Sequence, residues 1–183
     1  MDRLSLAQPL ADRVPISLPE LRAQVLPQRN VAEIRGDAVS LLQQYSGLLP
    51  SSPNRSVDHG TWRAVWLRPD GWLLIDTAEN YGVSPAFWAA AAAASARVTD
   101  VSHSLVGIAL SGTAVRRVLA QGTSLDLRAS RFGPGQCART WCAGFSLLLD
   151  HTHNHLDIYV DATAAPAFWT WLNDAVLTLV NAR

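Results

Sequence analysis

The chain has 183 residues, 49% hydrophobic and 16% charged, with a formal net charge of +0. One domain is the simple expectation at this length, and the apolar fraction is ample for a core. Balanced charge without a basic run excludes a nucleic-acid groove, which needs clustered cations. The charged fraction lies well below the roughly 25% of ordinary soluble domains, which points to a subunit with part of its skin covered by a neighbour.

All 15 cations are arginine. Arginine suits interface ion pairs because its planar fork keeps its charge and is weakly hydrated. GC-rich codon usage is the simpler explanation, and it also accounts for the alanines. The absence of lysine excludes Schiff-base chemistry on this chain. The two cysteines, Cys137 and Cys142, are an odd number of residues apart, so within one strand they point to opposite faces and do not pair. They are too sparse for a zinc site. Few cysteines, and no apolar leader near Asp2 and Asp12, predict a reducing cytoplasm. The uncharged run Asn80 to Ala96 falls short of the roughly 20 strongly apolar residues of a membrane span.

Residues 1–30 carry Pro9, Pro15, Pro19 and Pro27, which disfavour a long helix or a central strand. An extended arm is expected, its leucines and Ile16 lying on a surface, with room for a helical turn from Glu20 to Val25. Val31 to Arg35 reads as a strand. Asp37 then caps a helix with Ala38, Leu41, Leu42 and Tyr45 on one face. Leu48 to Gly60 reads as a loop. Thr61 to Leu67 and Trp72 to Asp76 form a hairpin turned by Pro69-Asp70-Gly71. Ser84-Pro85 opens a helix with an alanine body.

Leu105 to Leu110 is the next strand. Thr113 is the expected N-cap of a helix with Ala114, Val115, Val118 and Leu119 inward, and Gly122 its stop. Gln136 to Ala143, Phe145 to Leu149 and Leu156 to Val160 read as strands, with a turn from Asp150 to His155. A last helix starts near Pro166, with Phe168, Leu172, Ala175, Val176 and Leu179 as its apolar stripe.

The two halves resemble each other. Arg35 to Val39 matches Ser111 to Val115, Trp72 to Asp76 matches Asp157 to Asp161, and Pro85-Ala86-Phe87-Trp88 recurs as Pro166-Ala167-Phe168-Trp169. The expected fold is α+β: two ferredoxin-like βαββαβ-type repeats with mixed sheets, about 31–97 and 98–183, packed together as one domain behind the arm.

Chemistry-bearing residues are few. His151, His153 and His155 alternate and would share a strand face, where they offer metal ligands; a solvated turn around Asn154, flanked by Asp150 and Asp157, is the simpler reading. Asp100, Ser102 and His103 are triad residue types crowded too closely for triad geometry, so local hydrogen bonding is expected of them. Gly133-Pro134-Gly135 follows Arg128 and Arg131 but opens no helix, so it is a contact loop rather than a phosphate loop. Arg131, Phe132, Pro134 and Trp141 are the candidate partner-contact residues. No GxGxxG segment is present, so no dinucleotide is expected on this chain. The assigned catalytic, cofactor and metal residues are none.

A set of ordered motifs covers most of the chain after about Asn30. They are Trp66-Leu67-x-Pro69-Asp70-Gly71-Trp72-Leu73-Leu74, Asp100-x-Ser102-His103, Ser111-Gly112, Asp126-Leu127, Phe132-x-Pro134-Gly135-x-Cys137-Ala138-x-Thr140, Asp157-x-Tyr159-Val160 and Phe168-Trp169-x-Trp171-Leu172. In this order and spacing the sequence resembles the gamma subunit of heterotetrameric sarcosine oxidase. It departs at Asp161-Ala162-Thr163, where that family usually carries an Arg-Ser pair, so no role of that pair carries over.

The resemblance implies a fold similar to the folate-binding region of the glycine-cleavage aminomethyltransferase. It implies a small subunit without bond chemistry of its own, alongside alpha, beta and delta subunits and packed chiefly on the large alpha subunit. FAD, FMN, NAD and tetrahydrofolate then reside in the other subunits. The assembly converts sarcosine, O2 and tetrahydrofolate to glycine, methylenetetrahydrofolate and H2O2. The alternatives are a stand-alone folate-binding or one-carbon-transfer module, and a homodimer that holds a metal through its histidines.

Overall fold

The computed structural model describes residues 9–44, 47–60, 62–76 and 96–181. They form two compact units, one drawing on residues 9–28, 103–133 and 139–181, the other on 29–102 and 134–138. The fold is α+β and mostly strand. The first unit opens with β1 (Ile16–Leu18) and β2 (Leu21–Val25). The second carries β3 (Val31–Arg35), α1 (Ala38–Gln44), β4 (Ser56–Asp58), β5 (Trp62–Arg68), β6 (Gly71–Asp76) and β7 (Arg97–Asp100). The chain then returns to the first unit through β8 (Leu105–Ser111), α2 (Val115–Leu119), β9 (Cys137–Cys142), β10 (Phe145–His151), β11 (Leu156–Asp161) and α3 (Ala165–Asn181).

The first unit holds a six-stranded sheet of order β1-β2-β8-β11-β10-β9, the second a five-stranded sheet of order β4-β5-β6-β3-β7. In both, a three-strand meander is followed by the strand that opens that half, β8 or β3, and then by a short strand, β2 or β7. Both sheets exceed the four strands of a ferredoxin-like unit, and the pairings with a defined register are antiparallel rather than mixed. The added strands are short. Three residues in β4 or four in β7 are too few to show an alternating pattern. The helix expected from Ser84-Pro85, with the Pro85 to Trp88 match, lies outside the described residues, as do the side chains of Leu41, Leu42 and Tyr45.

In the five-stranded unit the core gathers Ala32, Ile34, Leu49, Ala64, Trp72 and Leu74, with Trp62 and Trp66 packed against it as their shared strand face requires. The Trp72 indole N–H donates to the Pro50 carbonyl at 2.9 Å, which satisfies the buried polar end of that ring. Asp37 caps α1 as expected: its Oδ2 accepts from the Ser40 backbone N–H and hydroxyl, each at 2.8 Å. Those two bonds hold its carboxyl below the usual range. In the six-stranded unit Phe168, Leu172, Ala175 and Val176 of α3 are buried, as the helical stripe predicts.

The arm departs most from expectation. Leu21 to Val25 is no helical turn: it pairs antiparallel with β8 from Arg22↔Ser111 to Val25↔Ile108 and lies inside the sheet, between β1 and β8. Pro15, Pro19 and Pro27 fall outside both strands, so no proline interrupts a ladder. The turn after β1 reaches α2. The Glu20 carbonyl accepts from the Ala114 N–H at 3.0 Å, satisfying a helix-start donor. Thr113 is not the cap: Ala114 occupies that position without a side-chain cap bond.

Gly112 makes this approach possible. Its φ is +109°, and a Cβ there would meet the Glu20 oxygen at 2.2 Å. Gly112→Ala combines backbone strain with a collision against backbone. It is expected to destabilise the protein by about 2 kcal/mol or more, read as a lower midpoint in urea denaturation.

Candidate functional site

A polar pocket of about 180 Å³ opens in the six-stranded unit where β8 ends and α2 begins, beside the β10–β11 turn. Its polar wall includes Ser111, Thr113, Arg116, His151, His153 and His155. Arg116 sits on the outward side of α2, whose other face, Val115, Val118 and Leu119, is buried. Its Nη1 donates to the Leu127 carbonyl and to the Phe132 carbonyl, the latter at 3.0 Å. Its Nη2 lies 3.3 Å from His151 Nε2. One guanidinium thus ties both ends of the loop from Leu127 to Phe132 to the helix and to β10. Sequence reading missed this role, because the acceptors are main-chain carbonyls that leave no residue signature.

The contacts fix the tautomer of His151. Arginine only donates, so Nε2 accepts; the Thr152 carbonyl, 2.8 Å from Nδ1, only accepts, so Nδ1 carries the proton. Burial lowers the pKa of this imidazole, and the Arg116 charge adds to the effect against the opposing pull of the Thr152 carbonyl and Asp150.

The three histidines are spread along a turn. His151 ends β10, His153 is exposed, and the His155 Nε2 lies 3.0 Å from Asp157 Oδ1. Thr152 closes the turn, its hydroxyl donating to the His155 carbonyl at 2.7 Å. Among the described residues no three His, Cys, Asp or Glu side chains group to hold a metal ion. Asp150 and Asp157 flank the exposed turn around Asn154, as expected, but from inside the sheet: they pair directly across β10 and β11, at 0% and 2% exposure. Opposed carboxylates in a sheet repel. His155, and the Tyr159 hydroxyl donating to Asp157 Oδ2 at 3.4 Å, offset part of that cost.

Of the triad residue types, His103 is exposed in the six-stranded unit, while Asp100 and Ser102 take structural roles in the five-stranded unit. Asp100 Oδ1 accepts from the Ser102 N–H at 2.9 Å and from its hydroxyl at 2.6 Å, and Ser102 Oγ accepts from the Val31 N–H at 2.8 Å. The Cys137 thiol donates to the Arg55 and Trp66 carbonyls. Both cysteines are free thiols, and burial pushes Cys142 up to about 11, far from a reactive thiolate. In the Asp161-Ala162-Thr163 segment, Asp161 Oδ1 accepts from the Thr163 N–H at 2.8 Å and from its hydroxyl, just before α3 begins.

Of the expected contact residues, Arg131 and Pro134 are exposed, and Trp141 is 68% exposed on the outermost strand of its sheet. Phe132 is a correction. It is 4% exposed, with its ring edge-on to His151 at 6.1 Å, so it anchors the loop from within. Just before the loop, Asp126 is bound by Arg128 through paired hydrogen bonds of 2.6–3.0 Å, which hold its carboxyl down to about 2.

Because that folded-state value lies below the ordinary 3.8, the contribution is complete above about pH 4 and lost as pH falls through about 2. Asp126→Asn is expected to flatten this part of the acid limb, measured as the urea midpoint against pH from 5 to 2. Cys142 is expected to resist iodoacetamide at pH 8 in the folded protein and to label promptly in urea.

Three comparisons bear on this arrangement. The family described as SoxG, sarcosine oxidase, gamma subunit, matches residues 38–178. Among solved structures, the chain is similar to one in heterotetrameric sarcosine oxidase from Corynebacterium sp. U-96 in complex with pyrrole 2-carboxylate. The TM-score is 0.78 at 21% identity, covering 93% of this chain and 94% of that one. It is also similar to the glycine cleavage system aminomethyltransferase T from Bartonella henselae, with a TM-score of 0.60 at 13% identity, covering 84% of this chain but 45% of that longer one. No curated protein matches in sequence. With most of its length inside the match, the chain belongs to the sarcosine oxidase gamma subunit family.

Proposed function

We propose that this chain is the small, non-catalytic subunit of a heterotetrameric, flavin-dependent sarcosine oxidase, packed chiefly on the large alpha subunit beside beta and delta subunits. The assembly oxidises sarcosine with O2 and transfers the one-carbon unit to tetrahydrofolate, giving glycine, methylenetetrahydrofolate and H2O2. FAD, FMN, NAD and tetrahydrofolate sit in the other subunits. Behind the arm, residues 31–183 serve as a single domain of two repeats, in the cytoplasm. The observation that carries this reading is family membership over residues 38–178. It is supported by the structural duties of Ser102, Cys137 and Cys142, and by the low charge of the chain. Among the described residues no helix is long and apolar enough to cross a membrane.

Arg131, Pro134 and Trp141 are the contact residues this reading selects. Exposed tryptophan and arginine are the side chains that most often anchor interfaces, and removal of such an anchor costs about 2 kcal/mol or more of binding. Trp141→Ala is therefore expected to weaken binding of the large subunit by about thirtyfold, a 2 kcal/mol loss, with an unchanged melting temperature. Binding unaffected by Trp141→Ala and Arg131→Glu together would remove these two residues from the interface.

The likeness to the aminomethyltransferase favours a second reading, a folate-binding module. Titration calorimetry of tetrahydrofolate against the isolated chain separates the two. No binding heat is expected; saturable binding would replace the structural reading with the folate one.

A further inference from the structure

We infer that Arg116 and His151 form an acid-released clasp on the loop from Leu127 to Phe132. The loop has two apolar anchors, Leu127 and Phe132, both buried, and the Arg131 and Phe132 N–H groups both donate to the Arg128 carbonyl at 2.8 Å. It is tied down at both ends by Arg116 Nη1, on the Leu127 and Phe132 carbonyls. The guanidinium is steadied in turn by His151 Nε2, at 3.3 Å, and Phe132 rests edge-on against the same imidazole.

This arrangement needs neutral His151. A second proton can enter only at Nε2, since Nδ1–H already faces the Thr152 carbonyl. There it would set N–H against N–H and cation against cation, and an acceptor for Arg116 would become a competing donor. The other ionisable groups around the imidazole do not cancel this. Asp150, on the same strand, favours the proton but is buried opposite Asp157, which faces His155; His153 is exposed; Asp126, just before the loop, is paired with Arg128. The lowered affinity of His151 for a proton fits the geometry.

The sign follows. Once released, His151 returns towards its ordinary value of 6.5, so the open loop binds the proton more tightly than the closed one. The clasp is complete above about pH 6.5 and weakens as pH falls through the lowered value. Arg131 lies on this loop, so release would also alter the face offered to the large subunit, a consequence that rests on the subunit assignment above.

Amide hydrogen exchange on the full chain, corrected for intrinsic rates, tests the clasp. Protection of Arg131 and Phe132 is expected to fall below pH 6.5 by up to about tenfold per pH unit, the limit for one proton, while α3 amides hold their protection. In His151→Gln, whose amide oxygen accepts from Arg116 at any pH, protection should stay flat. Nitrogen NMR at pH 7.5 should find the His151 proton on Nδ1. Loop protection independent of pH, the same fall in His151→Gln, or a proton on Nε2 would each overturn the inference. Since the measurement needs no partner, that failure would leave the subunit assignment standing.

Discussion

The antiparallel ladder between β2 and β8 is the contact on which the six-stranded unit depends. β8 is buried at Val106, Ile108, Ala109 and Leu110, and buried main-chain N–H and C=O groups must find partners. One side of β8 is served by β11, the other by a strand from the arm. The same arm carries Glu20 to the start of α2, and α2 places Arg116, which in turn fixes the 127–132 loop. A segment that looks dispensable in sequence thus supports the helix from which Arg116 makes its contacts beside the pocket.

The polar groups inside each unit carry the costs expected of buried charge. Arg63 is buried in the five-stranded unit, with Nη2 on the Ser56 hydroxyl at 2.7 Å and Nη1 3.4 Å from Asp58. Asp150 and Asp157 are buried in the other unit. Such groups stabilise poorly in net terms, because desolvation offsets most of the Coulombic gain; what they supply is a penalty for every arrangement that leaves them unpartnered. A chain with so few charges has placed several where they restrict alternative packing rather than where they dissolve it.

Much of the architecture was legible in the sequence where a pattern was long enough to have a period. The stripe of α3, the hairpin at Pro69-Asp70-Gly71 and the strands around Leu105, Phe145 and Leu156 fall where alternation or helical spacing put them. Two kinds of feature were not legible. Short strands such as β4 and β7 carry too few side chains for a period. Main-chain contacts, such as Glu20 to Ala114 or Arg116 to Leu127 and Phe132, depend on carbonyls that any residue supplies. The site shows the same division: the exposure of Trp141 agrees with its residue type, whereas Phe132 has an interface composition and an interior position. The family likeness was legible because its motifs, spread over turns, strands and the last helix, keep their order and spacing along the chain.

The register of β2 has a consequence for biosynthesis. Val25 pairs with Ile108, so the arm leaves the ribosome long before its partner strand exists. At roughly 5–20 residues per second, the wait is on the order of ten seconds. During that time the nascent β2 presents to solvent the strand edge that β8 later covers, together with Leu21 and Ala23, which are buried in the finished fold. Such a polypeptide closes its six-stranded sheet only after β8 has been made, and until then the apolar side chains of β2 have no cover from it.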